Sequence, residues 1–114
     1  MPTETVALGK GEPELLEFGM GICEQCKRMK PVMERAALEL GKCVGVHVLD
    51  IRNEVNEKLA ERYQMHAIPF VLLVDGAGKE LWRNEGFVDF PDLSQAISKH
   101  LPLAPGQPCG QVER

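Results

Sequence analysis

The stretch from Ala67 to Val74 constrains this chain more than any other. It is almost continuously apolar. A half-buried strand alternates apolar and polar residues, so an unbroken apolar run reads as a strand covered on both faces. A chain of 114 residues is long enough for one domain and too short for two. That central strand must therefore find its cover within a single domain, and the flanking sequence has to supply helices for both sides.

It does. Leu15 to Phe18 is a short apolar run, read as a strand. Across residues 23–40 the apolar positions Met29, Val32, Met33, Ala36, Ala37 and Leu40 form one helical stripe, closed by Gly41. Pro31 lies inside this helix and is expected to kink it. Val44 to Ile51 is rich in β-branched residues and reads as a strand. Val55, Leu59 and Tyr63 share one face of a short helix. After the Ala67–Val74 strand comes the turn signal Asp75-Gly76-Ala77-Gly78, then a loosely alternating partner from Lys79 to Glu85, ended by Gly86. Asp89 caps a last helix that buries Leu93, Ala96, Ile97 and Leu101. The order is β-α-β-α-β-β-α. Its first βαβ unit requires parallel strands with a right-handed crossover, and the hairpin adds antiparallel ones. The expected fold is α/β, with three layers: a central mixed sheet and helices on both faces. Residues 1–101 form one domain with its core in 14–101, and 102–114 form a loosely ordered tail carrying Pro102, Pro105, Gly106, Pro108 and Gly110.

Composition narrows the function. A net charge of −4 with scattered Lys and Arg leaves no basic stripe for nucleic acid. No apolar run approaches the roughly 20 residues of a membrane span. Met1-Pro2-Thr3-Glu4-Thr5 has neither a positive cluster nor a long apolar stretch behind it, so it does not read as a signal peptide, and a cytoplasmic location is expected. Of the four cysteines, Cys23 and Cys26 sit three apart, while Cys43 and Cys109 are isolated. In a cytosolic protein such a pair is catalytic or metal-binding sooner than a structural staple. Cys43 reads as a small buried hydrophobe and Cys109 as an idle tail thiol. Phe70 and Trp82 read as packing residues.

Cys23 follows the loop Gly19-Met20-Gly21-Ile22 and stands at the start of the first long helix. Helix residues three apart have Cβ atoms about 5–6 Å apart, and a disulfide accepts Cα separations of about 4.4–6.8 Å. Cys23 and Cys26 can therefore be joined or parted with little backbone movement. Free amides and the partial positive charge of a helix N-terminus favour a thiolate, which is expected to lower the pKa of Cys23. Lys27 and Arg28 reinforce this and Glu24 opposes it. Cys23, the outer residue, should attack a disulfide; Cys26, one turn inward, should resolve the mixed disulfide. Two other chemistries use the same spacing. A closed zinc site needs four ligands, and Cys43, His47, His66 and Cys109 offer no second close pair. A copper-chaperone-like site would come with a β-α-β-β-α-β order, which differs from the one read here.

Several separated features resemble the thioredoxin family. Glu17-Phe18 precedes the dithiol; Cys23-Glu24-Gln25-Cys26-Lys27 is followed by Pro31; Tyr63 is followed by Ile68-Pro69; then come Gly76-Ala77-Gly78-Lys79 and Glu85-Gly86-Phe87. The resemblance covers residues 14–101. It implies a thioredoxin-like fold and a protein thiol–disulfide oxidoreductase, a disulfide reductant acting on substrate proteins. It implies a redox-active Cys23–Cys26 disulfide, a cis bond at Ile68-Pro69, and a substrate groove lined by Ile22, Ile68, Pro69 and Gly86. Glu17 occupies the place of a buried carboxylate that helps move the proton of the resolving cysteine. The family also has a lysine on the next strand near that carboxylate; here one register brings His47 to the place and another brings Val48. His66 borders the cis-proline loop. No metal or bound cofactor is implied, and no nucleotide-binding glycine motif is present. Regeneration then needs a thioredoxin reductase or a membrane electron donor, with the chain acting as a monomer. The alternative is a thioredoxin-fold binding module or zinc-holding protein with structural cysteines. The chain departs from the family in having Ile22 where tryptophan precedes the first cysteine, Glu24-Gln25 in place of Gly-Pro, and too short a segment before Glu17 for the usual first strand and helix.

Overall fold

A computed structural model describes residues 4–101. The proline-rich tail and Cys109 lie outside the described residues. Within them the elements are β1 (Glu14–Gly19), α1 (Glu24–Leu40), β2 (Gly45–Asp50), α2 (Glu54–Arg62), β3 (Phe70–Val74), β4 (Glu80–Glu85) and α3 (Phe90–His100). The order is the expected one. The strands form one sheet in the order β2-β1-β3-β4. β1 pairs parallel with β2 and antiparallel with β3, and β3 pairs antiparallel with β4.

Alternation along the two central strands builds both cores. Leu15, Val71 and Leu73 face α1 and α3, where they meet Met29, Met33, Ala36, Leu93 and Ile97. Leu16, Phe18, Phe70, Leu72 and Val74 face the other way, toward Leu59 and Ala60 of α2. Phe18 and Phe70 stack there with ring centroids 5.5 Å apart. All five residues of β3 are buried, as the continuous apolar run requires. The second face needs more cover than one nine-residue helix gives. The segment before β1 supplies it without forming a helix: Val6 and Leu8 pack on that core beside Tyr63 and Met65.

Several expectations are corrected by this packing. Val55 is exposed, and the buried stripe of α2 is Asn56, Leu59 and Ala60. Asn56 earns its place by hydrogen bonding: its Nδ2 donates to the Glu4 carbonyl at 2.9 Å and the Asp50 carbonyl at 3.1 Å, tying the N-terminal segment and β2 to α2. Ala37 is also exposed; the stripe of α1 is narrower than its spacing suggested. α1 runs as a single helix through Pro31, whose side is exposed. Ala67 to Pro69 lie outside the strand they were read into. Cys43 lies in the turn before β2, half-buried and disulfide-bonded, so it is not the lone apolar thiol expected. No helix among the described residues is long and apolar enough to cross a membrane.

Candidate active site

The junction of β1 with α1 places the dithiol. Cys23 is the N-cap of α1, with extended backbone, and its Sγ accepts the Cys26 backbone N–H at 3.2 Å. Oxygen side chains usually fill this position, because a helix start leaves amide donors unpaired. A sulfur there holds the same donors, and a thiolate holds them more strongly than a thiol. Cys23 is half-buried and Cys26 is buried, and both are free. The outer–inner order read from the sequence is thus the order of their exposure.

Glu17 lies beneath Cys26 because of strand parity. It has the parity of Leu15, so it points to the α1 side of the sheet. It is 2% exposed. Burial pushes its carboxyl up to about 7. Cys26 is pushed up to about 12, first by burial, then by hydrogen bonding to the Cys23 side chain, with the charges of Cys23 and Glu17 adding to it. A cavity of about 460 Å³ reaches both groups. Gly19, Met20, Val48 and Leu49 wall it, and the exposed Lys27, Lys30 and Glu34 stand at its rim.

The β1–β2 register settles the residue opposite Glu17: it is Val48, while His47 lies opposite Leu16. His47 therefore sits on the far face of the sheet and cannot reach Glu17. Its ring nitrogens meet Glu14 Oε1 at 2.8 Å and Glu4 Oε2 at 2.5 Å. Both nitrogens are thus engaged by carboxyl groups on the face away from Glu17.

Gly19 is a site residue that the sequence reading missed. A Cβ there would stand 2.8 Å from Cys26 Sγ and 2.8 Å from Glu17 Oε2. Only a residue without a side chain lets sulfur and carboxyl share this space. The signal was available, since Gly19 has the parity of Glu17 and follows it by one strand repeat. Gly19→Ala is expected to destabilise the fold by on the order of 1 kcal/mol through overpacking and to change the titration of Glu17. Urea denaturation and carboxyl-resolved NMR would check the two effects.

The turn around Pro69 approaches the dithiol helix from another side, through Gly86. The Ile68-Pro69 bond is cis. Pro69 is buried and Ile68 half-buried. The Gly86 N–H donates to the Pro69 carbonyl at 2.8 Å, which joins this turn to the end of β4. Gly86 has φ +103°, and the site of its missing Cβ is 3.7 Å from Gln25 Oε1, between the two cysteines. Ile22 is 79% exposed at the edge of this group. His66 is exposed and its Nδ1 lies 3.3 Å from Glu85 Oε2. The structure thus gathers Cys23, Cys26, Pro69 and Gly86 around one end of the sheet, with Glu17 underneath. Among the described residues, no three His, Cys, Asp or Glu side chains converge as a metal site.

Known proteins resemble this chain in sequence and in fold. The thioredoxin family model matches residues 4–99. The chain belongs to the thioredoxin family. It is 35% identical over 86 residues to thioredoxin from Chlamydia trachomatis, covering 75% of this chain and 80% of that one. It is 36% identical over 86 residues to thioredoxin from Chlamydia muridarum, with the same coverage. The solved structures it resembles include thioredoxin-2 of a malaria parasite, described as a component of its protein secretion machinery. That structure has a TM-score of 0.70 and 26% identity, over 78% of this chain and 84% of that one. At the level of the family, the chain is a thiol–disulfide oxidoreductase.

Proposed function

We propose that the chain reduces disulfides in substrate proteins. One observation carries this reading: the buried Cys26 thiol and the buried Glu17 carboxyl line one cavity and converge on the bare Cα of Gly19, and burial raises the pKa of both. Such a thiol does not ionise at neutral pH without help. A carboxyl titrating near 7 is both ionised often enough to take a proton and basic enough to hold it.

The Cys23 thiolate attacks one sulfur of a substrate disulfide. A Cys23–substrate bond forms, the substrate bond breaks, and one substrate thiolate leaves. Glu17 takes the Cys26 proton as Cys26 Sγ attacks Cys23 Sγ. The mixed disulfide breaks, the second substrate thiolate leaves, and Cys23–Cys26 closes. The substrate gains two electrons and the dithiol loses them. Ile22, Ile68, Pro69 and Gly86 line the groove that receives an extended substrate segment by strand addition. An external thioredoxin reductase or membrane electron donor returns the two electrons.

Insulin reduction driven by dithiothreitol tests this reading. The chain is expected to accelerate precipitation of the insulin B chain at substoichiometric concentration. No acceleration, together with stoichiometric zinc in anaerobically purified protein, would replace it with the zinc-holding alternative.

A further inference from the structure

One of the two residues between the cysteines, Gln25, reaches across to the segment after β4. Gln25 Oε1 accepts the Phe87 backbone N–H at 3.3 Å. The Arg28 guanidinium lies over the Phe87 ring, 4.3 Å from its centroid. The Val88 N–H points to Met29 Sδ at 3.5 Å. Positions 25, 28 and 29 share one helix face, so three consecutive contacts run from a single ridge of α1 onto residues 87–88. From the other side, Gly86 is tied to the Pro69 carbonyl at 2.8 Å and to Asn84 Nδ2 at 2.9 Å. Residues 86–88 therefore hang between two anchors, Gly86 on the β3–β4 side and Phe87 with Val88 on the dithiol helix.

We propose that Gln25 is a positioning residue, which with Arg28 clasps Phe87 and fixes the distance between the Gly86 wall and Cys23, and so selects which protein segments reach the dithiol. This rests on the reductant reading. The clasp needs an acceptor at position 25 long enough to meet the Phe87 amide, and Gln25 provides it from the turn that also carries both sulfurs. An extended protein segment fills the groove and feels its width; a small disulfide needs only the sulfur. The clasp therefore acts on the choice of substrate, separately from the chemistry of the sulfurs.

Gln25→Met keeps length and removes the acceptor; Gln25→Glu keeps it. Two measurements are made on each variant. The first is hydrogen exchange of the Phe87 amide, read by NMR, which needs no activity. The second is the ratio of kcat/KM for insulin to kcat/KM for hydroxyethyl disulfide. In Gln25→Met the amide is expected to exchange faster and the ratio to fall about threefold, mostly through KM, as for one exposed hydrogen bond. Gln25→Glu should restore both. Unchanged Phe87 exchange, or an equal loss on both disulfides, would overturn the proposal. A wild-type chain inactive on insulin would overturn the reductant reading instead, and the exchange rates would still decide whether the clasp exists.

Discussion

Cys26→Ser is expected to turn a catalyst into a trap. Cys23 still attacks, but no sulfur remains one turn inward to displace the substrate, so the covalent complex persists. Incubated with an oxidised substrate protein, this variant should accumulate a dithiothreitol-sensitive adduct at one substrate per chain, with insulin turnover at background. Cys23→Ser should lose turnover as completely and form no adduct, because Cys26 is 9% exposed and its thiol is pushed up to about 12. A buried thiol held in its neutral form is a poor nucleophile. The asymmetry between the two variants carries the argument. Equal adduct formation by both would mean that the outer–inner order of the sulfurs has no mechanistic meaning. Intact-mass spectrometry distinguishes the cases directly.

Glu17→Gln is expected to raise stability and lower activity. Burial raises the Glu17 carboxyl from 4.5 to about 7 in the folded chain. Between those values the folded state binds the proton and the unfolded state releases it, so stability falls as pH rises. The loss begins above the unfolded value and is complete just above the folded one, and the gap corresponds to about 3 kcal/mol. Glutamine has no such titration. Urea denaturation should show the two proteins equally stable below pH about 4.5, with the variant ahead by up to about 3 kcal/mol by pH 8. Activity should move the other way. Without a proton acceptor under Cys26, resolution of the mixed disulfide is expected to slow about a hundredfold, and its rise near pH 7 should vanish. A variant with parallel stability curves would show that Glu17 is not the buried acid described here.

The local geometry of this candidate site is largely legible in the sequence. The dithiol, its helix-start position and the element order follow from periodicity and turn chemistry, which are local properties. Pro69 and Gly86 were reached through the family resemblance. What escaped depends on register. One residue of slip between β1 and β2 exchanges His47 for Val48 opposite Glu17, and the sequence of each strand is compatible with either. Pairing across the sheet decided it, with His47 drawn to Glu14 and Glu4 on the far face. Val55 faces solvent for a related reason. Apolar spacing alone put it inside, yet Asn56 fills that place because two backbone carbonyls converge on its amide. Gly19 and Gln25 carry no hydrophobic signal at all. Their roles lie in space left empty and in a contact to a residue some sixty positions away.

The central claim is that Cys23 and Cys26 form a reversible two-electron couple strong enough to reduce protein disulfides. The reduction potential of that pair tests it most directly, measured by equilibrating the chain against dithiol buffers and counting the two hydrogens lost on oxidation by intact mass. A single two-electron transition near or below about −270 mV, mapped to the Cys23–Cys26 peptide, is the predicted result. A potential near about −120 mV, where a dithiol oxidises its partners, would contradict it, as would a pair that never closes.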